Sequence, residues 1–132
     1  IRRCFSADSV SGIMQRLEAE QGAERDWTAA VRDELLTRSP TSLALTFRHI
    51  RSAASRDLRA TLEIDYRLAC RCLDAHDFAE GVRAMLVDKN GAPRWQPAEI
   101  PAVTNAMIDA YFAPLDAGGL NLPTRAEMQS MR

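Results

Sequence analysis

The apolar residues of this chain recur at helical spacing and nowhere alternate for more than four residues. Val10, Ile13, Met14 and Leu17 follow the i, i+3, i+4, i+7 pattern of one helix face. Leu43, Phe47, Ile50 and Ala54 form a second stripe, and Phe78, Val82, Met85 and Leu86 a third. Met107, Ile108, Tyr111 and Phe112 form a fourth. A long stretch from Leu58 through Leu62, Leu68 and Cys72 to Leu73 predicts another buried face, with Ile64 and Tyr66 flanking it. Val31, Leu35 and Leu36 predict a shorter inward face. A period of 3.6 throughout predicts an all-α fold, a compact assembly of five or six helices joined by short loops.

Start and stop signals agree with that reading. Ser6 or Asp8 can cap the first helix, Asp26 the next, and Ser55 or Asp57 the long one. Ser39-Pro40 is the strongest start, a hydroxyl cap followed by proline where no N–H is needed. Asp77 and Glu80 have the spacing of a capping box, which would account for both carboxylates. Asn90-Gly91-Ala92-Pro93 stops the chain, and residues 91–101 read as an extended connector. Thr104 caps the last strong helix. Residues 117–132 read as a loop-rich tail in which Thr124 to Glu127 can cap a short terminal turn.

Composition excludes several functions. With 132 residues, 46% hydrophobic and 27% charged, the chain has the make-up of a folded domain. Seventeen basic and 18 acidic groups leave a net charge of −1, without the basic footprint of a nucleic-acid or membrane-surface binder. Arg48, Arg51, Arg56 and Arg59 are a local basic stretch that reads as a solvated or ion-paired helix face. No apolar run approaches the ~20 residues of a membrane span. Cys4, Cys70 and Cys72 make no disulfide framework and predict a reducing compartment. The opening IRRCF is neither a signal peptide nor a clean start, so the chain reads as the inside of a longer protein.

Catalytic motifs are missing. There is no Gly-rich phosphate loop, no G-x-S-x-G elbow, and no Cys/His/carboxylate spacing that suits a metal. Glu63, Asp65 and Asp74 do not converge on one helix face, and Glu63 with Arg67 reads as a surface pair. Lys89 is the only lysine and stands at a helix C-terminus, where a cation suits the dipole.

Four segments carry a resemblance: CFSADSV at 4–10, SPTSLALTFRHI at 39–50, DYRLACRCLDAHDFAEGVRAMLVDKNGAPRW at 65–95, and YFAPL at 111–115. In order and spacing they are similar to the C-terminal part of the 3-hydroxyisobutyryl-CoA hydrolase family, a branch of the crotonase (enoyl-CoA hydratase/isomerase) superfamily. The resemblance covers residues 1–116, which would be the crotonase-type C-terminal helical domain. Ala44 and Asp65 depart from the family's usual lysine and glutamate.

The resemblance implies an acyl-CoA thioester hydrolase whose oxyanion hole and catalytic acids lie in an N-terminal ββα spiral domain absent from this sequence. No catalytic residue is therefore carried over, and no cofactor beyond coenzyme A as part of the substrate. The helices would pack on the spiral domain, cover the acyl-CoA site and support a homo-oligomer. Lys89 falls on the lysine with which related hydratases meet a CoA phosphate. Relative to those hydratases this chain has one more residue after Glu80-Gly81, which turns a continuous α-helix by about 100°. An enoyl-CoA hydratase or isomerase, and a non-catalytic helical interaction module, are the alternatives. Alanine and arginine richness points to a bacterial cytoplasm, with a mitochondrial setting left open.

Overall fold

A computed structural model describes residues 1–116 and 118–130. The regular elements among them are helices, with no strand. The helices are α1 (Arg2–Phe5), α2 (Val10–Glu18), α3 (Arg25–Leu36), α4 (Pro40–Ala53), α5 (Leu58–Leu73), α6 (His76–Val82), α7 (Asn105–Phe112) and α8 (Arg125–Ser130). A π-turn, Arg83–Val87, continues α6, and a 3₁₀ turn, Ile100–Ala102, precedes α7. The elements beyond the expected six are short: α1 has four residues and α8 has six. Of the predicted tail, Ala117, Met131 and Arg132 lie outside the described residues.

Side-chain caps fix most helix starts. Ser9, rather than Ser6 or Asp8, caps α2 by accepting from Gly12 N–H at 3.0 Å. Ser39 caps α4, Asp57 caps α5 and Thr104 caps α7. Thr124 and Glu127 form the reciprocal box expected of that sequence at α8. The third helix begins after Glu24 with no side-chain cap, and Asp26 lies in its first turn instead.

The core is small. Cys4, Ala7, Ile13 and Leu17 are buried together, with Met14, Val31, Leu35 and Phe47 packed on them. Helix α2 joins α1, α3 and α4 around this cluster. Leu45 and Ile108 are buried where α4 meets α7, and Ala84 under the π-turn. In α4 the buried leucine is Leu45, while Ile50 and Ala54 of the predicted stripe are exposed.

Helix α5 departs furthest from expectation. None of its residues is fully buried; Leu58 is 74% exposed and Leu73 60%. Leu58, Leu62, Tyr66 and Leu73 fall within about 80° of arc on one side, and all four are exposed. Arg67 and Arg71 lie on the other side, and Arg59 at the edge of the stripe. Arg67 donates to Phe112 O at 2.7 Å, Arg71 to Pro114 O at 2.8 Å, and Arg59 to Pro123 O at 2.7 Å. Arg67 thus satisfies a carbonyl at the α7 C-terminus that has no partner inside its own helix, and Arg71 and Arg59 satisfy carbonyls of the loop that follows. The predicted Glu63–Arg67 pair gives way to this use of Arg67.

An accessible surface of 9373 Å² results. A self-contained protein of 14.7 kDa would expose about 6,900 Å². The roughly 2,400 Å² of excess shows that the helices are packed less completely than in a self-contained domain of this mass.

Candidate functional site

Helix α6 and the π-turn place Lys89, and a folded-back connector holds them. The predicted capping box at Asp77 and Glu80 does not form, because Ala75 is the N-cap and both carboxylates reach other elements. Asp77 accepts from the Ser39 hydroxyl at 2.5 Å and from Gln96 N–H at 2.8 Å. Glu80 accepts from Arg83 Nε at 2.7 Å and Nη2 at 2.6 Å, a bidentate pair, and from Arg94 N–H at 2.6 Å. The Arg83 side chain donates above all to Glu80, which holds the Glu80 carboxyl well below the usual range, at about 2. The same pairing raises Arg83.

The connector lies across the front of α6. Trp95 Nε1 donates to Thr37 O at 3.0 Å, and its ring rests on Gly81. Between α4, α5, α6 and the Trp95 side chain opens a mostly apolar groove of about 750 Å³, which Thr41, Leu45, Phe78, Val82, Met85 and Tyr111 help to line.

The π-turn changes the expected phase of Lys89. Asp88 N–H donates to Arg83 O at 2.8 Å, an i→i+5 closure. Such a turn takes up one residue more than an α-turn. The residues beyond it are thereby shifted by one position relative to a continuous α-helix, a rotation of about 100°. Lys89 follows at φ 52°, in the left-handed region that ends a helix. It is exposed.

Nothing in the described residues assembles a nucleophile. Asp65 pairs with His49 Nε2 at 2.5 Å, and the His49 ring lies 6.4 Å from Phe112. His76 Nδ1 pairs with Asp77 at 3.0 Å. No hydroxyl or thiol bonds to either imidazole among the described residues. Burial pushes the Cys72 thiol up, away from a reactive thiolate. Glu63, Asp65 and Asp74 are not brought together as a catalytic set. Among the described residues no group of three or more His, Cys, Asp or Glu could hold a metal ion. Three arginines of the basic stretch are bonded within the fold: Arg48 pairs with Asp109, Arg51 donates to Ala7 O at 2.5 Å, and Arg59 donates to Pro123 O at 2.7 Å.

A family model described as enoyl-CoA hydratase/isomerase matches residues 1–112. This chain belongs to that family, and its helices correspond to the C-terminal helical part of the crotonase fold. It is 39% identical over 122 residues to the mitochondrial 3-hydroxyisobutyryl-CoA hydrolase of Danio rerio, covering 92% of this chain and 31% of that protein. To the Homo sapiens protein of the same name it is 36% identical over 120 residues, with 91% and 30% covered.

Among solved structures it resembles a carnitinyl-CoA dehydratase from Mycobacterium thermoresistibile, with a TM-score of 0.78 and 38% identity over 88% of this chain and 32% of that one. An enoyl-CoA hydratase from Rhodobacter sphaeroides 2.4.1 also gives 0.78, with 32% identity over 91% and 35%. The chain spans about a third of the length of these relatives. No helix among the described residues is long and apolar enough to cross a membrane.

Proposed function

We propose that this chain is the C-terminal helical part of an acyl-CoA thioester hydrolase acting on 3-hydroxyisobutyryl-CoA. The observation that carries this reading is the 36–39% identity to hydrolases of that name over nine-tenths of the chain. In the whole protein the N-terminal spiral domain would hold the oxyanion donors and carboxylates. The helices would cover the acyl-CoA and support subunit contacts, and Lys89 would meet the CoA 3′-phosphate as a point charge. Coenzyme A enters as part of the substrate, and no separate cofactor is needed. The exposed stripe on α5 and the apolar residues of α6 would be covered by the rest of the protein or by a second subunit. The named hydrolases are mitochondrial; a bacterial version would work in the cytoplasm, in the same step of valine breakdown.

A second reading, an enoyl-CoA hydratase or dehydratase, draws support from the two similar solved structures, a carnitinyl-CoA dehydratase and an enoyl-CoA hydratase. Assaying the full-length protein separates the two. A hydrolase releases free CoA thiol from 3-hydroxyisobutyryl-CoA and leaves enoyl-CoA unhydrated. Hydration of enoyl-CoA without thiol release would replace the first reading by the second.

A further inference from the structure

Lys89 stands on a turn whose two ends are tied to one ion cluster. The outgoing end is Asp88, whose carboxylate accepts from Arg83 Nη1. The returning end is Arg94, whose N–H donates to Glu80 Oε1 at 2.6 Å. Arg83 and Glu80 are themselves joined by two hydrogen bonds. Inside this ring Asn90 Oδ1 accepts from Ala92 N–H at 3.0 Å, and Gly91 N–H donates to Ala84 O at 3.2 Å. Gly91, at φ 62°, and Lys89, at φ 52°, both hold left-handed backbone. For Lys89 that conformation persists only where the surroundings enforce it.

The π-turn makes the ring possible. Five residues along an α-helix lie about 140° apart around the axis, so Arg83 and Asp88 would diverge. The i→i+5 closure brings Asp88 back over Arg83. The Glu80 side chain keeps only 11% of its exposure, so the cluster's hub faces inward while Lys89 faces out.

We propose that Glu80, Arg83 and Asp88 are positioning residues, a clamp that fixes the Lys89 turn for phosphate contact. This rests on the reading that Lys89 meets the CoA 3′-phosphate. Fixing the backbone beforehand removes the ordering cost that a loose turn would incur on binding. The clamp touches neither substrate nor reacting atoms.

The test compares full-length Glu80→Gln, Asp88→Asn and Lys89→Ala on the CoA ester and its 3′-dephospho counterpart. Lys89→Ala should raise KM for the CoA ester several-fold, leave kcat alone, and leave KM for the dephospho ester unchanged. Glu80→Gln and Asp88→Asn should show the same phosphate-dependent pattern more weakly. Either one added to Lys89→Ala should have no further effect. Asp88 is partly exposed, so its variant reports even if Glu80→Gln does not fold. If Lys89→Ala shows the pattern and Asp88→Asn matches wild type, the clamp is wrong and the Lys89 reading stands. If Lys89→Ala itself shows no phosphate dependence, both fall.

Discussion

Ser39 and Asp77 lie 38 residues apart and share a hydrogen bond of 2.5 Å, hydroxyl to carboxylate. The same Ser39 oxygen accepts from Ser42 N–H at 3.1 Å and so caps α4. Asp77 in turn accepts from Gln96 N–H. One serine and one aspartate therefore tie the start of α4, the start of α6 and the connector into a single polar joint.

Ser39→Ala should destabilise the chain by about 1–2 kcal/mol, the loss of an N-cap plus a partner for a largely buried carboxylate. Asp77→Asn should cost less, since the amide oxygen can still accept from Gln96 N–H. Urea midpoints of the two variants check the order.

Glu80 sets an acid dependence. Its folded carboxyl titrates near 2, below the unfolded value of about 4.3. The unfolded chain then binds more protons between those values, so the Glu80 contribution is complete above the unfolded value. It fades as pH falls from about 4.3 toward 2. Denaturation across that window should show a flatter slope in Glu80→Gln than in wild type. An unchanged slope would show that Glu80 does not hold Arg83 and Arg94 in solution.

Gly81 faces Trp95, and an added Cβ would meet the ring at 3.4 Å, ordinary contact. Gly81→Ala should therefore be tolerated, and can gain up to about 1 kcal/mol from helix propensity. Gly81→Leu should displace the indole from Thr37 and shift the Trp95 fluorescence. Trp27→Phe in the background isolates that signal.

The uncovered α5 face should make the isolated chain self-associate. Leu58→Glu with Leu73→Glu should reduce this in sedimentation, leaving the far-ultraviolet helix signal intact. A strictly monomeric wild-type chain at high concentration would contradict it.

Helical periodicity and cap residues were legible in the sequence because both act within a few residues. Ser39-Pro40, Asp57, Thr104 and the Thr124–Glu127 box form as their spacing predicts. The α5 face was misread because periodicity identifies an apolar stripe without saying what covers it. Leu58 and Leu73 carry the helical signal yet stay exposed. Asp77 and Glu80 matched a local cap, but Ser39, Gln96 and Arg94 come from distant elements, and non-local hydrogen bonds leave no spacing signal; only the Glu80–Arg83 pair, three residues apart, has one. The π-turn was hidden for the opposite reason: residues 83–87 keep the composition of an ordinary helix, and nothing in their spacing marks the wider turn.

The most direct measurement is steady-state hydrolysis of 3-hydroxyisobutyryl-CoA by the 132-residue chain and by the full-length protein, side by side. Stabilising the developing oxyanion needs preorganised donors, and losing one typically costs about 10²–10³ in rate. Saturable thiol release is expected from the full-length protein and none above background from the chain alone. Turnover by the isolated chain, or no thiol release by the full-length protein, would contradict it.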